Sequence, residues 1–344
     1  MEKIITVKGE INPDDAGIIL PHEHLLVDLR CWKHSLPKEL SKAKGFTEKV
    51  SIENRGEVVY NNFCFEDNLF QTDVQVAIDE SKKFRDLGGG TIVDVTLPSI
   101  GRDPEALYKI SNHTGLNIVM GTGSYIASSW SKNDINKSEN QLVNEIINDF
   151  TRGIGLLEIK AGIIGEVGIS NLNNPLEIKS LKASAVAQKE LNCGMLIHLP
   201  VWEKIGNDIL DILEKQKVNI EKVALGHSGS TLNDINYHDS LAKRGAFILH
   251  DQFGMELVSP EGKFFPSDGE GINSICNLIE KGNIDNILIS QDICFKILFT
   301  KWGGWGYGHI LKHIIPRMLD VGINKEDIFK IIKKNPKKLL TMNI

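Results

Sequence analysis

Short apolar runs alternate eight times with longer polar or amphipathic segments along this chain of 344 residues, and the alternation predicts a single (β/α)8 barrel over residues 1–344. The runs are continuous and rich in β-branched residues, which is typical of parallel strands buried on both faces. Neither a low-complexity segment nor a proline-rich linker divides the chain, and barrels of this length form one domain. The predicted strands are residues 17–26, 91–95, 116–121, 161–166, 194–198, 223–227, 246–251 and 287–292.

Helices are predicted between these strands, most clearly at residues 176–191 and 205–215, where apolar residues recur at helical spacing. Two segments are longer than a crossover needs. Residues 27–80 are predicted to form a long loop and a helix over the barrel mouth. Residues 253–270 are rich in glycine and proline and are predicted to form an irregular loop after the seventh strand. Long loops in compact domains usually serve function, so both are expected at the C-terminal mouth of the barrel.

The composition argues against several classes of protein. A formal net charge of -6 disfavours a nucleic-acid partner held by phosphate neutralisation. The sequence has no apolar run of 18 residues and carries charges where a signal peptide would need a hydrophobic stretch. The five cysteines are scattered without a CxxC pair, which is typical of reduced thiols. These features predict a cytoplasmic protein with neither a nucleic-acid nor a membrane partner.

The first predicted strand contains the stretch LPHEHLLVD, residues 20–28, with two histidines in an apolar context. Side chains at positions i and i+2 of a strand point to the same face, so His22 and His24 should lie side by side while Glu23 points away. Two neutral imidazoles on one face can bind one metal ion. Hydrogen-bonded core histidines are the ordinary alternative, and this short pattern alone does not decide between the two.

Four other predicted strands end in a side chain that can bind metal: Glu166, His198, His227 and Asp292. The C-terminal ends of barrel strands build the active sites of this architecture, so these groups should converge with the two histidines of the first strand. Each alone could be a core histidine, a helix cap or an ion-pair partner. Together they predict two divalent ions bridged by a carboxylate, with zinc expected and manganese, cobalt or iron as alternatives.

The chain resembles the phosphotriesterase-related proteins of the amidohydrolase superfamily over essentially its whole length. The longer shared features HDQFGME and QDICFKILFTKWGGWGYGHILKHIIPRML place the resemblance with the phosphotriesterase-related branch rather than with the organophosphate hydrolases. The matching stretches are LPHEHLLVD, GGGTIVDVTLPSIGRD, GTGSY, AGIIGEVGIS, IHLP, GHS, LISQD and NPKKLL.

This resemblance implies a role for each ligand. His22, His24 and Asp292 would hold the more buried ion, and His198 and His227 the more exposed one. Many relatives bridge the ions with a carbamylated lysine at the end of the fourth strand, where this chain has Gly165. Glu166 would bridge the ions instead, as in the branch with a glutamate at this point, and bicarbonate would not be needed to assemble the site.

The resemblance also implies the reaction. A hydroxide shared by two ions would attack a carbonyl carbon or a phosphorus, and Asp292 would carry the proton to the leaving group. The predicted substrate is a small, anionic ester, lactone or amide, and a phosphotriester is the alternative. A mononuclear deaminase is a further alternative within the superfamily. A metal-containing barrel that binds a ligand without catalysis is the alternative from a different class.

Three residues outside the ligand set are predicted to contact substrate. Tyr125 follows the third strand and could donate a hydrogen bond. Lys296 follows the eighth strand and could bind an anionic group. His250 ends the seventh strand and could line the pocket. A homodimer is the common assembly for such barrels and is expected here without direct support from the sequence.

Overall fold

The structure is a computed structural model and describes residues 1–35 and 49–343. The strands in chain order are β1 (Glu2–Thr6), β2 (Gly9–Ile11), β3 (Ile18–Glu23), β4 (Val27–Asp28), β5 (Phe70–Gln71), β6 (Gly89–Asp94), β7 (Asn117–Thr122), β8 (Ile163–Gly168), β9 (Met195–His198), β10 (Val223–Leu225), β11 (Phe247–His250), β12 (Ile287–Ile289) and β13 (Met342–Asn343). The helices are α1 (Arg55–Tyr60), α2 (Val74–Asp86), α3 (Pro104–Thr114), α4 (Lys132–Ile135), α5 (Glu139–Thr151), α6 (Pro175–Leu191), α7 (Gly206–Lys215), α8 (Ile235–Lys243), α9 (Asp268–Glu280), α10 (Ile315–Asp320), α11 (Lys325–Phe329) and α12 (Asn335–Leu340).

Eight parallel strands form the predicted barrel, in the order β3, β6, β7, β8, β9, β10, β11 and β12. Each corresponds to one of the eight predicted strands within a few residues, so the predicted fold class is confirmed. The two clearest predicted helices are also confirmed, as α6 and α7. Strands β10 and β12 stop short of the predicted ends, so His227 and Asp292 lie just beyond regular strand.

The barrel closes between its first and last strands through the Ser290 side chain and a backbone hydrogen bond from the Asp292 amide to the His22 carbonyl at 3.3 Å. The hydroxyl of Ser290, directly after β12, accepts a hydrogen bond from the His22 amide at 3.2 Å and lies 2.9 Å from the His22 carbonyl. The same hydroxyl lies 2.7 Å from the Glu23 carboxylate, which also accepts from the backbone amides of Gln291 and Ile293. Glu23 therefore points away from the two histidines, as the strand alternation predicts, and fixes the loop that carries Asp292.

A three-stranded antiparallel sheet of β13, β1 and β2 lies at the N-terminal end of the barrel, and the sequence reasoning did not predict it. It packs closely: a Cβ atom added at Gly162, just before β8, would lie 2.3 Å from the Ile5 carbonyl oxygen. Above this sheet, apolar side chains from the barrel strands fill the interior, including Ile19, Val93, Val119, Leu196 and Leu288. The polar groups of the site lie at the other, C-terminal end.

The two predicted insertions agree with the structure to different degrees. In the segment 27–80, β4 pairs with β5, α1 lies between these two strands, and α2 begins after β5. Residues 36–48 lie outside the described residues. The segment 253–270 is irregular through residue 267, apart from an isolated bridge between Val258 and Phe264. The loop ends at residue 267, three residues earlier than predicted, because Ser267 caps α9 in a capping box with Glu270. Across residues 1–35 and 49–343, no helix has the length and apolar character to cross a membrane.

Candidate metal centre

The six predicted ligands converge at the C-terminal end of the barrel. Each is buried, with exposed fractions between 0 and 8%. They come from five different strands or the residues just after them, which is why the convergence depends on barrel closure. They form two groups whose ligand atoms lie within 4.8 Å of one another and could each hold an ion: His22, His24 and Asp292, and Glu166, His198 and His227.

In the first group, Asp292 Oδ1 lies 3.3 Å from His24 Nε2 and 3.7 Å from His22 Nε2. Among the described residues, Asp292 Oδ1 and His22 Nε2 have no hydrogen-bond partner although both are buried. Buried polar atoms without partners are rare and costly, and a cation between them would satisfy both.

In the second group, Glu166 Oε2 lies 2.9 Å from His198 Nδ1 and 3.9 Å from His227 Nε2. His198 Nδ1 also lies 2.8 Å from His227 Nε2. Two ring nitrogens at that distance repel each other unless a proton or a cation lies between them. The second group therefore also has the arrangement of a cation site.

Glu166 joins the two groups through its two carboxylate oxygens. Its Oε1 lies 3.2 Å from His24 Nε2 of the first group. Its Oε2 lies between the groups, 3.4 Å from His22 Nε2 on one side and 2.9 Å from His198 Nδ1 on the other. Imidazole nitrogens and carboxylate oxygens in this mixture suit zinc, manganese, cobalt or iron. The donor set, the burial and the unpartnered atoms fit two divalent ions with a bridging carboxylate.

Asp251 positions two of the histidines, a role that the sequence reasoning did not assign. Its Oδ2 accepts a hydrogen bond from His22 Nδ1 at 2.8 Å, and its Oδ1 lies 3.3 Å from His227 Nδ1. The His227 backbone amide also donates to it. Burial would raise the pKa of Asp251, but the charge of His227 and the hydrogen bonds from both rings outweigh burial and hold that pKa well below its usual range. With Nδ1–H bound to Asp251, each ring has Nε2 free to bind a metal ion.

His24 is oriented in a similar way by the end of β6. Its Nδ1 lies 2.8 Å from Thr96 Oγ1, and the Thr96 amide donates to Asp94. Asp94 also accepts from the Leu25 amide at 2.7 Å, which fixes the chain on the other side of His24. Burial raises the pKa of Asp94 to about 6, although nearby positive charge and these hydrogen bonds oppose the rise.

We expect Asp251→Asn to weaken metal binding by about 10–100-fold, the usual cost of losing a carboxylate behind a ligand histidine. The asparagine side chain has one acceptor oxygen, so it cannot accept hydrogen bonds from both rings as the two oxygens of Asp251 can. Competition with a chromogenic chelator measures the affinity. Asp239→Asn, which alters another buried carboxylate that binds Asn283 away from the site, should keep the wild-type affinity. Equal affinities in the two variants would contradict this role.

Two of the ligand residues have left-handed backbone conformations, with φ of 57° at His227 and 51° at Asp292. Such φ values are uncommon for residues other than glycine and concentrate at functional sites. Both residues lie just beyond the ends of β10 and β12, where the chain has left the strand conformation.

Residue 165 can only be glycine in this backbone. Gly165 has φ of 131°, and a Cβ atom there would lie 2.4 Å from the Leu196 carbonyl oxygen. The pairing of β8 with β9 shifts register between Ile164 and Val167. This irregularity turns Glu166, rather than residue 165, toward the histidines.

A cavity of about 440 Å³ opens above the six ligands. Its wall includes six aromatic side chains, of which Trp32 and Phe63 come from the first insertion. Tyr125 also lines it: the ring lies 4.9 Å from the His198 ring, and the hydroxyl accepts a hydrogen bond from Trp32 Nε1 at 3.1 Å. The structure thus places Tyr125 where the sequence predicts a substrate contact.

The other two predicted substrate contacts do not line this cavity. Lys296 is ion-paired with Asp67 at 2.7 Å and lies over the Phe70 ring. His250 is 1% exposed and its ring lies 5.6 Å from that of His238, because the strand alternation turns it outward when Asp251 points inward. The structure therefore gives no support to either residue as a substrate contact.

We expect His250 to make the fold labile to acid. Burial, with a smaller contribution from His238, lowers the pKa of His250 to about 3, and burial lowers that of His238 to about 4. The unfolded chain binds these protons near pH 6.5, so stability should fall as the pH drops from 6.5 towards 4, by at most about 1.4 kcal/mol per pH unit for each histidine.

His250→Leu should reduce that slope in denaturant titrations of the metal-free protein, where protonation of metal ligands cannot release an ion. His113→Leu, which removes an exposed histidine of α3, should give the wild-type slope. An unchanged slope in His250→Leu would show that His250 is not the group responsible.

Comparison with known proteins identifies relatives along the whole chain. The model of the phosphotriesterase family matches residues 2–340. An N-acetyltaurine hydrolase from Dictyostelium discoideum is 38% identical over 362 aligned residues, covering 99% of this chain and 98% of the relative. A resiniferatoxin-binding protein from Rhodobacter sphaeroides has a similar structure, with a TM-score of 0.96, 34% identity and coverage of 98% and 94%. A lactonase from Listeria monocytogenes aligns with a TM-score of 0.79, 25% identity and coverage of 99% and 100%.

Proposed function

This chain belongs to the phosphotriesterase family and is a metal-dependent hydrolase of the amide or lactone type, and from that premise we propose that it uses two divalent ions bridged by Glu166 to cleave a small anionic amide. The observation that carries the proposal is the position of Glu166. Its carboxylate lies against both groups of candidate ligands: His22 and His24 at 3.4 and 3.2 Å on one side, and His198 at 2.9 Å on the other. A carboxylate shared in this way supports a binuclear site rather than a mononuclear one.

When bound, the two ions would polarise the substrate carbonyl and make water acidic enough to supply a nucleophile near neutral pH. Residues of this chain orient the candidate ligands and deliver the proton. Asp251 fixes the rings of His22 and His227, so that their Nε2 atoms face the site without rearrangement. Asp292 lines the cavity, so its carboxylate would be within reach of a substrate there and could deliver a proton to a leaving amine.

Tyr125 and Trp32 shape the cavity beside this centre. The Trp32 indole N–H donates to the Tyr125 hydroxyl, which leaves the hydroxyl proton available to a substrate oxygen. The aromatic wall excludes water around the reacting group, which strengthens electrostatic interactions within the cavity. Both residues would position substrate rather than take part in bond cleavage.

An amide is favoured over a lactone because the relative with 38% identity along the whole chain is named an N-acetyltaurine hydrolase. The neighbour named a lactonase is less similar, at 25% identity. N-acetyltaurine joins an acetyl group to an amine that carries a sulfonate, so it fits the predicted class of a small anionic substrate. Zinc is the expected ion, given the mixture of imidazole and carboxylate ligands.

The test is metal content together with hydrolysis. Elemental analysis of the purified protein should give two ions per chain, and a chelator should abolish turnover that added zinc restores. N-acetyltaurine should be hydrolysed faster than an aliphatic lactone or an aryl dialkyl phosphotriester. One ion per chain would overturn the binuclear site, and preferential cleavage of the phosphotriester would overturn the proposed substrate.

A further inference from the structure

The charge distribution around the cavity is uneven. Of the cavity-lining residues that the structure describes, Lys263 is the one lysine or arginine. It lies in the segment after β11. The remaining charged residues of the lining, apart from Glu166 and Asp292, are the exposed Glu203 and Glu261. None of the described carboxylates lies within 4.0 Å of the Lys263 ammonium, so no ion pair neutralises it there.

Lys263 is held by its backbone. The turn that carries it is closed by two hydrogen bonds: the Ser259 amide donates to the Lys263 carbonyl at 2.7 Å, and the Lys263 amide donates to Ser259 Oγ at 3.2 Å. The adjacent residue, Phe264, bridges to Val258. The base of the side chain is therefore fixed relative to the barrel, unlike that of a lysine on a disordered loop.

The side chain is held as well. The Lys263 ammonium lies 5.1 Å from the centre of the Trp202 ring, within the range of a cation–π contact. Trp202 in turn packs on Phe265, with ring centroids 5.2 Å apart, and both line the cavity. A cation–π contact orients an ammonium without cancelling its charge, so Lys263 keeps its attraction for an anion at the cavity wall.

We propose that Lys263, oriented by Trp202, binds the anionic group of the substrate at the end remote from the scissile bond. This proposal rests on the proposed function and narrows its substrate to N-acyl derivatives of an amine that carries a sulfonate or carboxylate. The carbonyl would lie at the metal-ligand cluster and the chain linking it to the anion along the aromatic wall. The lysine that the sequence singled out for this role, Lys296, is neutralised by Asp67 outside the cavity.

The chain offers a matched control in Lys301. It too is an exposed lysine, its ammonium lies 5.1 Å from the centre of the Trp302 ring, and it does not line the cavity. Lys263→Glu and Lys301→Glu make the same charge change in the same local setting. A general effect of net charge on an anionic substrate would appear in both variants, whereas binding at Lys263 affects only the first.

The experiment compares N-acetyltaurine with the neutral N-acetylethanolamine on the zinc-loaded protein, by KM in turnover and by Kd in calorimetry. Lys263→Glu should weaken N-acetyltaurine binding by about 5-fold or more, as expected for losing an exposed ion pair, and change the neutral amide by less than about 2-fold. Equal effects on both compounds, or equal effects of both variants, would overturn the proposal. Calorimetry decides it even if the wild type hydrolyses neither compound, which would overturn the proposed function separately.

Discussion

Glu166→Gln should remove the metal centre while leaving the barrel folded. The side chains are nearly the same size, but the amide is neutral and has an NH2 group in place of one carboxylate oxygen, so it cannot bridge two cations as a carboxylate can. Losing a carboxylate behind a ligand typically costs 10–100-fold in affinity, and losing a shared ligand should cost more than about 100-fold. Elemental analysis should find less than one ion per chain, and amide hydrolysis should fall in proportion.

The control for Glu166→Gln is Glu177→Gln. Glu177 is also a fully buried glutamate, but it accepts hydrogen bonds from the amides of Ala127, Ser170 and Asn171, outside the ligand set. That variant should keep two ions even if its thermal unfolding midpoint falls. Two ions retained in Glu166→Gln would refute a bridging role for this residue.

Asp292→Asn should retain the fold and lower turnover by about 10²–10⁴-fold, the usual contribution of a positioned acid or base. Asparagine tolerates the left-handed backbone that this position requires, so the substitution tests the carboxylate itself. If Asp292 delivers a proton to the leaving group, the loss should be largest for an amide, whose amine must be protonated to leave. It should be smaller for a 4-nitrophenyl ester, whose leaving group needs no proton.

Metal content has to be measured beside these rates, because Asp292 belongs to a ligand group as well. Rates are therefore compared at saturating zinc. A loss of equal size for the amide and the activated ester would contradict the proton-transfer role and leave Asp292 as a ligand only.

The strands and the convergence of the candidate ligands were predictable from the sequence because one physical pattern indicates both. Continuous apolar runs mark strands buried on both faces, and a polar residue ending such a run has to lie at the barrel mouth. His198 satisfies both conditions, and the structure places it in a group that could hold an ion. The pairing of His22 and His24 was predictable from the two-residue period of a strand.

Contacts between distant segments were not predictable in the same way. Asp251 ends its strand as the ligands do, but only the folded barrel shows that it faces the rings of His22 and His227. His250 and Asp251 carry the same sequence signal and point in opposite directions. Lys296 illustrates a further limit, since its partner Asp67 lies far away in sequence. The sheet formed by β13, β1 and β2 depends on pairing between the two ends of the chain.

The glycine before Glu166 restricts how this centre could change by substitution. A lysine at residue 165 would place its Cβ atom against the Leu196 carbonyl in a backbone conformation that side chains rarely adopt. Conversion to a lysine-bridged centre would thus require the pairing of β8 and β9 to be rebuilt along with the bridging residue itself. A variant with a replacement at only one of the two positions would be defective. No path of single functional substitutions therefore connects the glutamate-bridged form with the lysine-bridged form. Libraries meant to convert one form into the other should vary residues 164–167 and 195–197 together.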